Sequence, residues 1–241
     1  MLEKAYKLVA IQESITNRSA KDLIDRGLVY SAGKKVVMAR AEMHVNSKFR
    51  IEKILKIKKI YEDKKIIAVN KPAFITSEQI SKKFKAPLLH RLDQDTSGVI
   101  LLAKDEDFQK VAIEAFRERE VLKVYHAWVR GIIAEDLTID TPLLTMKNGG
   151  VAFTKPSPHG QEAISLVKPL EVEGKLSLLE VKIETGRTHQ IRAHLKSIGH
   201  TIIGDVKYGG KPAKRLMLHA KKIALLGYEF EAAVPKDFKV Y

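Results

Sequence analysis

The sequence predicts an α+β fold, in which strands dominate and few helices lie between them. Residues 98–103 (GVILLA) are almost wholly apolar, which is typical of a strand buried at the centre of a sheet. Residues 176–184 (LSLLEVKIE) alternate apolar and polar side chains, as a strand with one buried face does. Residues 121–130 are a third predicted strand. Because these strands do not alternate regularly with helices, α+β is favoured over a doubly wound sheet.

Residues 1–46 are predicted to form a separate, small N-terminal domain. Within it, residues 17–27 have the pattern of a short helix, which polar Thr16 and Asn17 can cap and Gly27 can end. The following run, LVYSAGKKVV, places Gly33 at a turn between two short β-prone segments. The sequence therefore predicts a helix that leads into a basic hairpin.

The larger domain is predicted to span residues 60–241, after a basic linker at residues 47–59. The charge run in and around this linker also fits a solvated face or a surface that contacts phosphate. Ile66–Val69 is a predicted strand that Pro72 ends, because proline cannot donate to a strand ladder. Helical spacing of apolar residues predicts two amphipathic helices. Their inward positions are Phe108, Val111, Ala112, Ala115 and Phe116 in the first, and Ile191, Leu195 and Ile198 in the second.

The composition limits the classes of function. The chain has 43 Lys and Arg against 29 Asp and Glu, a formal net charge of +14, and such an excess attracts polyanions. A generally basic protein without a nucleic-acid partner is the plainer alternative. Cysteine is absent, which excludes disulfides, thiolate catalysis and sulfur-ligated zinc sites. No signal-peptide pattern and no apolar run of membrane-spanning length is present, so we expect a soluble, cytoplasmic protein.

The densest polar segment is residues 90–98, HRLDQDTSG, directly before the predicted central strand. Polar clusters at a strand edge are costly to bury unless they are paired, so they often mark functional sites. Residue types alone also fit a polar loop with a turn glycine. The whole string, however, resembles the signature loop of the RluA family of pseudouridine synthases. In that family the nucleophilic aspartate stands at the position of Asp93.

Two further blocks resemble the same family, in the same order. Residues 123–131 (KVYHAWVRG) are similar to its KxYxAxVxG strand, whose tyrosine packs against the target base. Residues 185–195 (TGRTHQIRAHL) and 199–209 (GHTIIGDVKYG) are similar to its GRTHQIRxHL and GHPIxGDxxYG stretch, with Thr201 where proline is usual. The resemblance covers about residues 60–240. It implies the pseudouridine synthase fold, with a central, mostly antiparallel mixed sheet.

The resemblance also implies the roles of individual residues and an RNA substrate, with neither a cofactor nor a metal. Asp93 is expected to act as nucleophile or base, Tyr125 as a stacking platform, and Arg192, rather than Arg187, as the ion-pair partner of Asp93. The residues expected to contact substrate are His90, Arg91, Thr96 and Arg187. His189 and His194 lie five residues apart and face different sides of a helix, which argues against a metal site.

Alternatives to this interpretation remain at the sequence level. Glycoside hydrolysis needs two partnered carboxylic acids, whereas Asp93 and Asp95 lie in one loop and nothing else indicates a sugar site. A non-catalytic RNA-binding or ribosome-assembly protein could keep the same fold. Residues 1–46 resemble a small RNA-binding module of the ribosomal-protein-S-four type, although they could be a structural cap. That module implies large-subunit ribosomal RNA rather than transfer RNA as the target, and we expect a monomer.

The segment between Pro72 and His90 departs from the family pattern. Only 17 residues separate them, where many relatives have a longer insert near the RNA. This departure leaves the target RNA open, whereas the predicted reaction does not depend on the insert.

Overall fold

The computed structural model describes residues 1–52, 56–148 and 151–240, apart from the side chains at 148 and 151. It divides the chain into two compact units, Met1–Lys56 and Ile57–Tyr241. No helix in the described ranges is long and apolar enough to cross a bilayer. The domain boundaries predicted from the sequence stay predictions.

The N-terminal unit combines two helices with short strands. Its elements are β1 (Leu2–Lys4), α1 (Ala5–Glu13), α2 (Asn17–Asp25), β2 (Val29–Ser31), β3 (Lys34–Lys35), β4 (Glu42–His44) and β5 (Phe49–Ile51). Thr16 caps α2, because its Oγ1 accepts a hydrogen bond from the Ser19 amide at 3.1 Å. Ile24 packs into an apolar cluster that includes Val9 of α1. The predicted helix and the β2–β3 hairpin are thus confirmed.

Helix α1 is not predicted from the sequence. It begins directly after β1 at Lys4, which makes no side-chain cap, so the usual start signal is missing. Its buried residues are Ala5, Leu8, Val9 and Ala10, and the helical spacing of the first three spans little more than one turn, which is too short to predict a helix. Packing against α2, rather than a local signal, accounts for this helix.

The segment predicted as a linker, residues 47–59, is strand at both ends. Strand β5 pairs with β2, and its Phe49 is buried in the N-terminal apolar cluster. The other end enters an edge strand of the larger unit. Residues 53–55 lie outside the described residues. Basic side chains on these strands face solvent, which is why their charge pattern resembles that of a linker.

The larger unit contains the remaining elements. They are β6 (Lys58–Glu62), β7 (Ile66–Lys71), α3 (Ser77–Phe84), β8 (Ser97–Ala103), α4 (Glu106–Arg117), β9 (Leu122–Arg130), β10 (Leu137–Ile139), β11 (Leu143–Asn148), β12 (Val151–Pro156), β13 (Ser165–Glu173), β14 (Leu176–Ile183), α5 (Gln190–Ser197), a 3-10 turn (Val206–Tyr208), β15 (Leu218–Leu225) and β16 (Tyr228–Glu231).

A nine-stranded mixed sheet organises this unit. The strand order is β10-β13-β14-β9-β15-β8-β7-β6, with β16 also paired to β15. Among the described residues, β8 and β15 pair in parallel, and the other strand pairs of this sheet are antiparallel. Every residue of β8 is buried. The parallel pair places the loop that precedes β8 beside the start of β15.

The two helices predicted in this unit are present, with one misplaced residue each. In α4, Phe108, Ala112 and Ala115 are buried, but Val111 is 54% exposed because it lies at the margin of the apolar face. The sequence predicts a helix over Thr188–Ile198, but α5 begins two residues later, at Gln190, and ends before Ile198. That residue is 38% exposed instead of facing the core.

The pairing of β8 with β15 requires a glycine at position 98. Its φ is 122°, and a Cβ built there would lie 2.2 Å from the carbonyl oxygen of Ala220 on β15. The parallel pairing of Gly98 with Ala220 therefore depends on the absence of a side chain.

We expect Gly98→Ala to destabilise the protein by more than about 3 kcal/mol, because backbone atoms of β8 and β15 must separate. Gly227→Ala is the matched control. Gly227 also has a positive φ (80°), but nothing lies within 4 Å of its built Cβ, so only backbone strain of about 1 kcal/mol is expected. Urea unfolding of both variants measures the difference. Equal losses would contradict the close-contact explanation.

Candidate active site

The Asp93 loop, residues 90–97, joins a turn after α3 to strand β8. Hydrogen bonds from the start of α3 fix the first half of the Asp93 loop. The Ser77 hydroxyl accepts from the Leu92 amide at 3.0 Å and donates to the Leu92 carbonyl at 2.9 Å. Thr76 and Gln79 form a capping box that fixes this end of α3. Asp93 therefore follows a residue, Leu92, whose backbone N–H and C=O are both hydrogen-bonded to Ser77.

Lys71 holds the middle of the Asp93 loop from inside the protein. Its side chain is fully buried, and its Nζ donates to the carbonyls of Pro72 (3.1 Å), Ile75 (2.7 Å) and Gln94 (3.1 Å). Burial lowers the pKa of Lys71 to about 7, against the opposing attraction of nearby carboxylates. This amine links the end of β7 to the residue after Asp93.

Ser97 ends the Asp93 loop in a second buried polar cluster. Its hydroxyl accepts from Arg215 Nη2 at 2.5 Å and lies 2.7 Å from His219 Nδ1. Burial lowers the pKa of His219 to about 3, so this imidazole is neutral and its Nε2 faces the Ala232 carbonyl at 3.3 Å. Both ends of the loop are thus fixed by side chains of other segments.

Arg192 on α5 connects two carboxylates. Its Nε and Nη2 donate to the two oxygens of Asp205, each at 2.8 Å, and its Nη1 donates to Oδ2 of Asp93 at 3.0 Å. The side chains of Arg192 and Asp205 are 6% and 1% exposed, whereas that of Asp93 is 26% exposed. The Arg192–Asp205 pair is buried and bidentate, as in a structural ion pair. Of the three residues, Asp93 is the one that solvent or a ligand can reach.

His189 and Tyr208 lie beside this triad. His189 Nε2 is 3.8 Å from Asp93 Oδ2, and His189 Nδ1 is 2.9 Å from the Tyr208 hydroxyl. The Arg192 guanidinium lies over the Tyr208 ring, 4.9 Å from its centroid. Burial lowers the pKa of His189 to about 4, although the charge of Asp93 acts in the opposite direction. Its imidazole is therefore neutral at neutral pH.

Tyr125 stands in the centre of the sheet close to the loop. Ala220 of β15 pairs with Tyr125 on one side and with Gly98 on the other. The ring is buried within the main apolar core, and burial followed by the charge of Asp93 raises its pKa. Its predicted stacking role stays a prediction, and any contact with a base uses the small exposed part of the ring.

The four residues expected to contact substrate have different surroundings. Arg91 is exposed and pairs with Glu78 at 2.7 Å. Arg187 donates from Nε to the Glu162 carbonyl at 2.9 Å. Thr96 is buried, and its amide closes a turn onto the Asp93 carbonyl at 3.1 Å.

His90 contacts the protein around it, and its predicted contact with substrate stays a prediction. Its Nε2 accepts from the Leu101 amide at 3.1 Å, and its ring stacks on Phe116 at 5.5 Å between centroids. Burial lowers its pKa to about 4. The imidazole supports the loop, because its Nε2 and one face of its ring contact β8 and α4.

Sequence reasoning assigned no role to four residues of this site. Asp205 and Tyr208 were noted only as letters of the GDxxYG block, and Lys71 only before the proline that ends β7. Arg215 had no signal at all. A carboxylate and a tyrosine in an otherwise apolar and glycine-rich block are the sequence features that could have directed attention to Asp205 and Tyr208.

Comparison with known proteins identifies the class. Residues 65–197 match the family model described as RNA pseudouridylate synthase. An uncharacterized RNA pseudouridine synthase of Helicobacter pylori strain J99 is 52% identical over 243 residues, covering 99% of this chain and all of that protein. The solved structure of human RNA pseudouridylate synthase domain containing 1 has a TM-score of 0.65 and 26% identity, over 75% of this chain and 84% of that one.

Two more relatives carry names that state an RNA. Ribosomal large subunit pseudouridine synthase D of Haemophilus ducreyi is 29% identical over 85% of this chain and 66% of its own length. tRNA pseudouridine synthase C of Pectobacterium carotovorum is 32% identical over 73% of this chain and 57% of its own length.

The chain belongs to the RNA pseudouridine synthase family, and it is an isomerase that acts on RNA. The α+β fold and the activity predicted from the sequence are confirmed. The roles of individual residues stay predictions.

We expect Asp205→Asn to lower the free energy of unfolding by about 2–4 kcal/mol, because a buried guanidinium loses its bidentate partner. The matched control is Glu231→Gln, which breaks an ion pair with Lys221 of similar length (2.7 Å) in which the glutamate is 51% exposed. There the expected loss is under about 1 kcal/mol. Chemical unfolding measures both. Similar small losses would mean that the buried pair does not stabilise this unit.

Proposed function

We propose that this enzyme isomerises specific uridines of large-subunit ribosomal RNA, with Asp93 as the catalytic carboxylate. The observation that supports the role of Asp93 is the hydrogen bond of 3.0 Å that Arg192 donates to this partly exposed carboxylate. The bond uses Oδ2 of the carboxylate, so Arg192 leaves Oδ1 available to a substrate. An ionised and oriented carboxylate is what each chemical route to pseudouridine needs.

The reaction breaks the N1–C1′ bond of uridine, turns the uracil and joins C5 to C1′. A proton leaves C5 and a proton is gained at N1, so neither redox change nor energy input is required. Asp93 could attack C1′, attack the pyrimidine ring, or act as a base on the ribose to give a glycal intermediate. All three routes need an oriented base and exclusion of water. The proposed assignment is compatible with each of them.

Tyr125 and the basic residues around the loop complete the proposed site. Tyr125 would pack against the target base, since a tyrosine ring offers a flat apolar face with a polar edge. Arg91 and Arg187 would contact the RNA backbone. The uridine has to leave its stack to reach Asp93, at a cost of a few kcal/mol, and phosphate contacts offset part of that cost.

Two observations support ribosomal RNA as the target. Residues 1–56 contain 12 Lys and Arg against 6 Asp and Glu, so the N-terminal unit can favour a polyanion. The larger unit is 185 of 241 residues, about 77% of the chain. The match to the ribosomal enzyme covers 85% and so extends into the N-terminal unit, whereas the 73% match to the transfer RNA enzyme is short enough to lie within the larger unit. We therefore assign residues 1–46 to RNA binding.

We expect Asp93→Asn to abolish pseudouridine formation while RNA affinity changes little, because the amide keeps the shape of the carboxylate but not its charge. The measurement is carbodiimide labelling with primer extension on ribosomal and transfer RNA from cells that lack the gene. The cells are complemented with wild type, Asp93→Asn or Asp107→Asn. Asp107, 89% exposed on α4, is the matched control for loss of one negative charge and should restore every stop.

The position of the restored stop identifies the RNA. A stop in transfer RNA alone would overturn the choice of ribosomal RNA but keep the catalytic role of Asp93. Full restoration by Asp93→Asn would overturn that role and favour another nucleophile. If no stop depends on the gene, the non-catalytic RNA-binding alternative becomes the better account.

We expect removal of residues 1–56 to reduce modification of ribosomal RNA by at least about tenfold, because the N-terminal unit supplies phosphate contacts. Circular dichroism and thermal melting of the shortened protein check that the larger unit stays folded. The loss should be greater at 50 mM than at 200 mM salt, because the phosphate contacts that the deletion removes contribute less to binding as salt rises. Unchanged activity and target choice in a folded protein would mean that residues 1–46 are a structural cap.

A further inference from the structure

His189 reaches the proposed catalytic carboxylate, yet the proposed mechanism gives it no task. It lies just before α5 with a left-handed backbone (φ 52°), a conformation that histidine adopts more readily than most residues. This conformation directs the imidazole into the site, where Nε2 lies 3.8 Å from Asp93 Oδ2. Its side chain is 11% exposed, so it is part of the wall of the site.

The other ring nitrogen ends a chain of hydrogen bonds. The backbone amide of Thr154 on β12 donates to the Tyr208 hydroxyl at 2.9 Å, and this hydroxyl lies 2.9 Å from His189 Nδ1. Because the hydroxyl already accepts from an amide, its own proton is available for Nδ1. The arrangement that pairs every group of the chain makes Nδ1 an acceptor and places the imidazole proton on Nε2.

The Tyr208 ring is well held, so this chain has a defined geometry. The ring is buried and stacks on Phe153, with centroids 4.9 Å apart and planes 12° apart. The Arg192 guanidinium lies on the same ring. Tyr208 can therefore keep the imidazole in one tautomer and one orientation.

The charges around the imidazole come from three segments. Asp93 of the loop and Asp205, which caps the 3-10 turn, are negative, and Arg192 of α5 and Lys207 of the 3-10 turn are positive. Burial has a larger effect than these opposing charges and lowers the pKa of His189 to about 4. An imidazole in this place is a hydrogen-bond donor without charge at neutral pH.

We propose that His189 is a positioning residue that presents a neutral Nε2–H group to the carboxylate of Asp93, with its tautomer fixed by Tyr208. This inference rests on the proposed catalytic role of Asp93. A separation of 3.8 Å exceeds a hydrogen bond, so the inference requires Nε2–H to close on the carboxylate when substrate binds, as catalytic hydrogen bonds often do. A neutral donor orients the carboxylate and has no acidic proton to pass to it, whereas an imidazolium could protonate the carboxylate and so remove the charge that the reaction uses.

The kinetic test compares His189→Gln with His189→Leu. Glutamine places an N–H near the position of Nε2 and leucine does not, while both meet the same left-handed backbone, so its strain cancels. With the RNA segment found by the mapping experiment, we expect glutamine to keep kcat within about threefold of wild type. Leucine should lower kcat by about 10- to 100-fold with little change in KM, the effect of losing one hydrogen bond to a charged group.

The pH profile separates this role from a structural one. A donor to a carboxylate favours its ionised form, so the acidic limb of kcat/KM should move to higher pH in His189→Leu but not in His189→Gln. A merely structural role would lower the rate at every pH and leave the limb in place. Wild-type kcat in leucine, or an equal loss in both variants, would overturn the inference. An inactive wild type would instead refute the proposed function.

The tautomer can be measured without any assay of activity. Long-range ¹H–¹⁵N spectra of the imidazoles can assign His189 by its absence from the spectrum of His189→Gln. We expect its ring to be the neutral Nε2–H tautomer throughout pH 6 to 8. Tyr208→Phe, which keeps the ring stack but removes the hydroxyl, should yield a mixture of tautomers. An Nδ1–H tautomer or a cationic ring in the wild type would overturn the inference, whatever the kinetics show.

Discussion

The arrangement of the site depends on one guanidinium shared by two carboxylates. Arg192 gives two of its donors to Asp205 and one to Asp93, so the buried charge is satisfied mainly by a residue that no substrate reaches. A buried arginine paired with Asp93 alone would lose its compensating charge as soon as Asp93 reacted. Asp205 thus allows Asp93 to change its bonding while Arg192 remains in place.

The rest of the site is built on the same separation between supporting and reacting groups. Lys71, Ser77 and Arg215 bind the backbone or the end of the Asp93 loop from the protein interior, and none of them is exposed. Their partners are mostly backbone carbonyls and hydroxyls, which do not titrate. The loop can therefore be rigid at both ends while the side chain of Asp93 faces outward.

The sequence predicted four strands of the sheet, β7, β8, β9 and β14, and only part of the site. A continuous apolar run predicted β8, which is buried on both faces, and periodicity predicted β14 and most of α4, which are buried on one face. Periodicity failed for α1 and Val111, where packing between elements decides exposure. The Asp93–Arg192 ion pair joins residues 99 positions apart, and only the family resemblance implied it.

Motif membership also does not state which way a side chain faces. His90 and Asp93 stand in the same signature loop, yet His90 stacks on Phe116 while Asp93 meets Arg192. Conversely, Asp205 pairs with an arginine 13 residues away across a turn, a relation that no local pattern indicates. Because the direction of a loop side chain follows from long-range hydrogen bonds, the chemistry of this site becomes assignable only when the fold places Lys71 and Tyr208 beside it.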